Sequence, residues 1–345
     1  MGITVIKIFT LATTAFLLAT AATPFLTYFL YHYKLGKQIR QNVPHYFLLH
    51  KHKKGTPTMG GIVIWGTVLF LAVIFAILGK MDNFGFLPQL DFLSRRETLL
   101  PLGALVSSAV VGLIDDYLGI IGFGKDKQGV RFRYKIFLYI IIALWGALWF
   151  YYKLDWDVIH IPFLGDFTIG WLVIPYFIFI TVATSFAVNE TDGLDGLAGG
   201  VLLTNFAAFG AIAFVEGKYD LAGFCAVIVG ALTAFLWFNV PPARFFMGDT
   251  GAMSLGAVLA IIAFYLKSSL ILPIVGLVLV VEALSVIIQL ASRKMFHKKI
   301  FASTPLHHHL ETKGWPESKI VMRVWLISGV SSMIGFVIVL LDKTL

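Results

Sequence analysis

Ten apolar runs, most of them close to 20 residues, recur along this 345-residue chain, at about 3–30, 58–79, 98–118, 134–152, 169–188, 197–215, 221–238, 250–266, 270–291 and 320–341. A helix of that length crosses the roughly 30 Å hydrocarbon core of a bilayer, and in lipid every backbone N–H and C=O must be satisfied within the protein. The runs are continuous and do not alternate, which argues against a β-barrel. With 58% hydrophobic and 13% charged residues and a mean hydropathy of +0.85, the chain is far more apolar than a soluble domain. The fold class is therefore all-α, a polytopic membrane protein of about ten transmembrane helices. The first run is too long for a signal-peptide core and is expected to stay as a span. No long linker, low-complexity segment or internal repeat divides residues 1–345, so a single domain is expected.

The formal net charge of +8 would suit nucleic acid, but the placement of the basic residues points to a membrane. Lys34, Lys37, Arg40, Lys51, Lys53 and Lys54 follow the first run; Lys125, Lys127, Arg131, Arg133 and Lys135 follow the third; Arg293, Lys294, Lys298, Lys299, Lys313 and Lys319 follow the ninth. The alternate loops carry fewer. By the positive-inside rule the first set is cytoplasmic and both termini lie on the other side. No nucleic-acid partner is expected. The single cysteine, Cys225, lies inside an apolar run, which excludes an intrachain disulfide and a thiolate zinc cluster.

Acidic residues interrupt these runs where a purely structural chain would have none. Asp115 and Asp116 end the third run; side by side in an apolar setting they repel each other unless a cation, a shared proton or a basic neighbour such as Lys125 or Arg131 compensates. Asn189-Glu190-Thr191-Asp192-Gly193-Leu194-Asp195-Gly196 follows the fifth, with Asp192 and Asp195 three apart, on one face if the loop is already winding into a helix. Gly248-Asp249-Thr250-Gly251 opens the eighth after Pro241-Pro242 ends the seventh; an Asp there either caps the helix or holds a metal over a bound phosphate. Lys53 and Thr58, around a Gly/Thr/Pro turn, are candidates to meet a phosphate, or else simply to set topology. Glu282, Ser285 and Gln289 form one polar stripe on the ninth run. Beyond it His307, His308 and His309 suit phosphate contact or proton transfer better than joint ligation of one metal.

The acids and the histidines all fall on the cytoplasmic side, at the interface where a water-soluble substrate can meet a lipid one. Clustered carboxylates, basic loops and a Gly-rich helix start suit metal-assisted chemistry on a phosphate ester or anhydride. A lipid-linked sugar transporter without chemistry is one rival reading; a related transferase using UDP-N-acetylglucosamine is a second, and it rests on the resemblance of the following segments to a known family.

The segments Gly55 to Gly61, Gly112 to Gly119, Asn189 to Gly199, Phe246 to Gly251 and Pro305 to Glu311 closely resemble, in order and over nearly the whole chain, the bacterial phospho-N-acetylmuramoyl-pentapeptide transferases, the MraY family. The resemblance implies Mg²⁺-dependent transfer of phospho-N-acetylmuramoyl-pentapeptide from UDP-N-acetylmuramoyl-pentapeptide to undecaprenyl phosphate, giving lipid I and UMP at the cytoplasmic face of the bacterial inner membrane. It maps Asp249 to the metal, and Asp115 and Asp116 to the lipid phosphate as base or as covalent nucleophile. Asp192, Gly193, Leu194, Asp195, Asn239 and Phe246 would line the uridine pocket with Asn189 nearby, and His307, His308, His309, Lys125 and Gln289 would approach the diphosphate and sugar. The family also implies a homodimer. Glu190 departs from the usual form, where a neutral residue is expected.

Overall fold

The computed structural model describes residues 2–36, 53, 55–80, 87–94, 97–123 and 129–344. The chain is a bundle of helices: α1 (Gly2–His32), α2 (Ile62–Leu78), α3 (Leu99–Ile120), α4 (Phe132–Leu148), α5 (Val173–Thr191), α6 (Leu197–Val215), α7 (Tyr219–Asn239), α8 (Gly248–Tyr265), α9 (Leu272–Val275), α10 (Leu277–Met295), α11 (Leu306–Thr312) and α12 (Glu317–Thr344). Each of the ten apolar runs is helical, but among the described residues eight helices are long and apolar enough to cross a bilayer. α2, with 17 residues, falls short of that length. The ninth run breaks at Gly276 into α9 and α10, and α10 carries Glu282, Gln289, Arg293 and Lys294.

α8 organises the packing, because every one of its residues is buried. It lies between α3 and α5. The crossing with α3 needs a residue without a side chain: a Cβ on Gly112 would stand 2.5 Å from the backbone of Asp249. That close approach puts Asp115 and Asp116, one turn further along α3, beside the first turn of α8. The aromatic side chains Phe150, Phe177, Phe264 and Tyr265 pack at the other end of α8.

α10 is turned inside out relative to a soluble amphipathic helix. It buries Glu282, Ser285, Gln289 and Ser292 and exposes Leu284, Ile287 and Leu290. Apolar residues facing outward are favourable only against lipid, and the inward polar atoms must then find partners in the protein.

One feature departs from the all-α expectation. A small antiparallel hairpin pairs β1 (Val158–Ile161) with β2 (Gly165–Thr168), Val158 opposite Thr168 and Ile161 opposite Gly165. At four residues per strand it is too short to show in the hydropathy pattern. His160 on β1 ties this hairpin to the end of α12: its Nδ1 lies 2.7 Å from Asp166 Oδ1 and its Nε2 2.6 Å from Asp342 Oδ2. The Phe163 N–H also donates to Asp342 (2.5 Å), and Lys267 pairs with Asp166. With α1 anchored by Lys7 to Asp220 at the start of α7, both chain ends sit at the end of the bundle opposite Asp115, Asp116 and Asp249.

Burial pulls the His160 imidazole down, but the Asp342 and Asp166 carboxylates outweigh it and hold the group above its ordinary range. Lys267 in turn holds the Asp166 carboxyl below its usual value. A raised folded-state value makes the His160 contribution complete below about pH 6.5 and removes it as pH rises through that folded value. His160→Ala should therefore lower the melting temperature at pH 6, by an equivalent of roughly 1 kcal/mol or less for so exposed a group, with the gap to wild type closing by pH 9. Thermal unfolding in detergent across that range checks this; a gap independent of pH would contradict it.

Candidate active site

At the C-terminal end of α3 the helix dipole is unfavourable for anions, yet Asp115 and Asp116 are both buried there. Their partners explain how. The Lys135 ammonium, reaching in from α4, pairs with Asp115 and lies 2.6 Å from Asp249 Oδ2, so one cation bridges two carboxylates from distant parts of the chain. The Val130 N–H donates to Asp115 Oδ1 at 2.7 Å, and Asn189 Nδ2 donates to Asp249 Oδ1 at 2.8 Å. Asp115 thus finds its cation in Lys135 and not in Arg131. Lys125, the other expected partner, lies outside the described residues.

Asp249 does not cap α8. The N-terminal N–H groups of that helix are held by two carboxylates from elsewhere: Asp116 Oδ2 accepts from Thr250 N (3.1 Å) and Asp192 Oδ2 from Gly248 N (3.2 Å). Thr58 Oγ1 stands 3.5 Å from Asp116 Oδ1. Gly248 has φ 74°, and a Cβ there would come within 2.5 Å of Asp116 Oδ2 and 2.7 Å of Thr58 Oγ1. The glycine is what lets the acids close on the helix start. Asp115, Asp116, Asp192 and Asp249 therefore converge on one helix terminus.

Asp192 and Asp195 do not share a face. Asp192 ends α5, while Asp195 turns away to Lys53, whose Nζ lies 2.7 Å from Asp195 Oδ1 and 2.6 Å from Glu317 Oε1. Burial pulls the Lys53 ammonium down, but Glu317 and Asp195 outweigh it and raise it above its usual value. Glu317 Oε1 also accepts from Asp195 N (2.7 Å), and Asp195 Oδ2 from Ala243 N (3.0 Å). Asn239 is committed to the scaffold, accepting from Gly196 N (2.9 Å) and donating to Phe245 O (2.7 Å). Leu194 packs into a small core with Leu197, Ile320 and Val321. Phe246 is held by its backbone to Pro57 and Gly60, with its ring half-buried, while the neighbouring Phe245 fills the core.

The three histidines at α11 each have a separate anchor. His307 Nδ1 meets Glu282 Oε2 (3.1 Å), His308 Nδ1 meets Glu311 Oε2 (2.6 Å), and His309 Nδ1 accepts from Ala302 N (3.1 Å). Gln289 is bonded to the loop that follows α10: Oε1 accepts from Ile300 N and Phe301 N, and Nε2 donates to Phe301 O. Its role in the structure is to set that loop.

Two side chains at this site were not singled out from sequence. Lys135 counts in the sequence only among the basic residues after the third run, and Glu317 carries no signal there. Neither has a local signal, since each acquires its role only when remote segments meet.

Among the described residues no three His, Cys, Asp or Glu side chains form a ready-made metal cluster. The donors nonetheless fit Mg²⁺, which is bound by one or two carboxylates together with substrate phosphates. Asp115 and Asp249 already converge on one positive group, and oxygen is the donor type that ion takes.

A helical membrane bundle that gathers carboxylates at one polar end has the organisation of a membrane-embedded sugar-phosphate transferase, and residues 98–267 match the model of glycosyl transferase family 4. Residues 53–64 match a phospho-N-acetylmuramoyl-pentapeptide-transferase signature. The chain is 39% identical over 96% of its length to a phospho-N-acetylmuramoyl-pentapeptide-transferase of Chloroflexus aggregans, covering 89% of that protein. It is 37% identical to one from Clostridium novyi (93% of this chain, 94% of the relative) and 38% identical to one from Geobacillus thermodenitrificans (94% and 95%). The chain belongs to the phospho-N-acetylmuramoyl-pentapeptide transferase family.

Removing one member of a buried charge group costs roughly 3–5 kcal/mol. Lys135→Met should lower the melting temperature accordingly, and added Mg²⁺ should restore more stability to this variant than to wild type, because Asp115 and Asp249 then lack their bridging cation. Calorimetry with and without the ion reads both effects.

Proposed function

We propose that the chain catalyses transfer of phospho-N-acetylmuramoyl-pentapeptide from its UDP carrier to undecaprenyl phosphate, forming lipid I and UMP, with Mg²⁺ and at the cytoplasmic face of the bacterial inner membrane. The convergence of Asp115, Asp116, Asp192 and Asp249 on the start of α8 carries this reading. In the transfer, an oxygen of the lipid phosphate forms a bond to the phosphorus carried by the sugar, and the anhydride bond to UMP breaks. The nucleophile is already a phosphate oxygen, so the protein has mainly to place two anions in line and neutralise their charge.

Asp249, with Asp115, would hold Mg²⁺, which supplies charge neutralisation between the two substrates. Asp116 holds the start of α8 beside Asp249, where it would meet the lipid phosphate. Lys53, Asp195 and Phe246 form the nucleoside end, where the half-buried Phe246 ring offers a stacking face for uracil. Both described chain ends lie opposite the acids, which supports an even number of crossings with both termini periplasmic, residues 1–345 acting as one domain. The assembly proposed is a homodimer.

Asp249→Asn should abolish UMP release from purified enzyme while leaving the melting temperature within a few degrees of wild type, and EDTA should silence the wild type in the same assay. Turnover surviving either change would remove the metal assignment. Asp195→Asn should weaken UDP-sugar binding about tenfold or more, the scale of one charge-assisted hydrogen bond, with little effect on the KM for undecaprenyl phosphate. Equal losses for both substrates would count against a nucleotide pocket at Lys53 and Asp195.

A further inference from the structure

The acid on α10 is the buried charged group that the transfer reading leaves without a task. Glu282 and His307 are both buried, on separate helices, and a single carboxylate oxygen, Oε2, meets both the His307 backbone N–H (3.2 Å) and its ring Nδ1 (3.1 Å). We propose that Glu282 is a positioning residue for the transfer reaction: it fixes the start of the histidine segment and locks His307 as the Nδ1–H tautomer against the Asp192–Asp195 turn. A carboxylate can only accept, so the Nδ1 of a neutral ring must carry the hydrogen and Nε2 keeps its lone pair.

Two independent observations fix where that lone pair points. Nε2 is buried and has no hydrogen-bond partner among the described residues. It also lies directly over Gly193, where an added Cβ would stand 2.2 Å from it. Gly193 is therefore the residue that lets the ring seat itself, and the ring in turn supports the turn that sends Asp192 to Gly248 and Asp195 to Lys53. Ser285 Oγ donates to the Glu282 carbonyl one turn away (2.7 Å), and Gln289 pins residues 300–301, so α10 holds both ends of the segment that carries His307. Glu282 acts through His307 without touching substrate.

This inference rests on the reading that the 192–195 turn lines the nucleotide-sugar pocket, and the test separates the two. Full-length enzyme labelled with ¹⁵N-histidine is examined in detergent without substrate, the His307 signals being assigned by their loss in His307→Gln. Wild type and Glu282→Gln should both show a protonated Nδ1 and a bare Nε2, because an amide oxygen still accepts; Glu282→Ala should show both tautomers exchanging. In the transfer assay Glu282→Ala should lose roughly 10–100-fold in kcat/KM for the UDP-sugar, the usual range for a group that orients an active-site side chain, while Glu282→Gln retains most of it. Gly193→Ala should lower the melting temperature in the wild-type background and clearly less in a His307→Ala background, where the ring is gone. Glu282→Gln falling as far as Glu282→Ala, a His307 ring indifferent to both substitutions, or Gly193→Ala equally costly in both backgrounds would each overturn the proposal. If the wild type releases no UMP while the ring signals behave as stated, the reaction assignment fails and the positioning of His307 stands.

Discussion

One helix terminus, the start of α8, carries the site. A helix buried along its whole length cannot leave its first N–H groups to water, so those groups must be met by protein. Asp116 and Asp192 meet them, and in doing so bring α3 and the end of α5 to one point. Asp249 is turned toward Lys135 and Asn189. The requirement that makes α8 stable in the interior is thus the same one that brings Asp116 and Asp192 beside Asp249.

Among the described residues, Lys135 meets the electrostatic cost of bringing Asp115 and Asp249 together. Asp115 and Asp249 bracket the Lys135 ammonium, which supplies inside the protein the positive charge that two neighbouring carboxylates demand. A second lysine, Lys53, does the same for Asp195 and Glu317 about the neighbouring turn. The two acidic residues of the Asp192-Gly193-Leu194-Asp195 loop therefore go to two adjoining places, Asp192 to the start of α8 and Asp195 to Lys53 near the start of the last helix.

Much of this was legible in the sequence, because hydropathy runs mark helices in lipid directly and carboxylates at the ends of such runs are costly enough to stand out. Asp115, Asp116, Asp192 and Asp249 were found that way. The hairpin at 158–168 was not, since strands of four residues leave no periodic trace. Spacing suggested a common face for Asp192 and Asp195, but the chain turns between them, from the end of α5 into α6. Gln289 and Asn239, expected at substrate, are hydrogen-bonded to backbone groups of neighbouring loops, contacts that depend on tertiary structure alone. Lys135 and Glu317 stayed hidden for the same reason.

The inside-out character of α10 bears on how the molecule is built. Its outward leucines and isoleucines suit lipid, and among the described residues Glu282 and Gln289 find their longer-range hydrogen-bond partners in residues 300–307. The inward face of this helix and the histidine-bearing loop therefore satisfy each other's polar groups. A chain released before its last 45 or so residues are made would hold an unsatisfied polar stripe in the membrane, so quality control acting on that stripe would discard incomplete copies before they reached substrate.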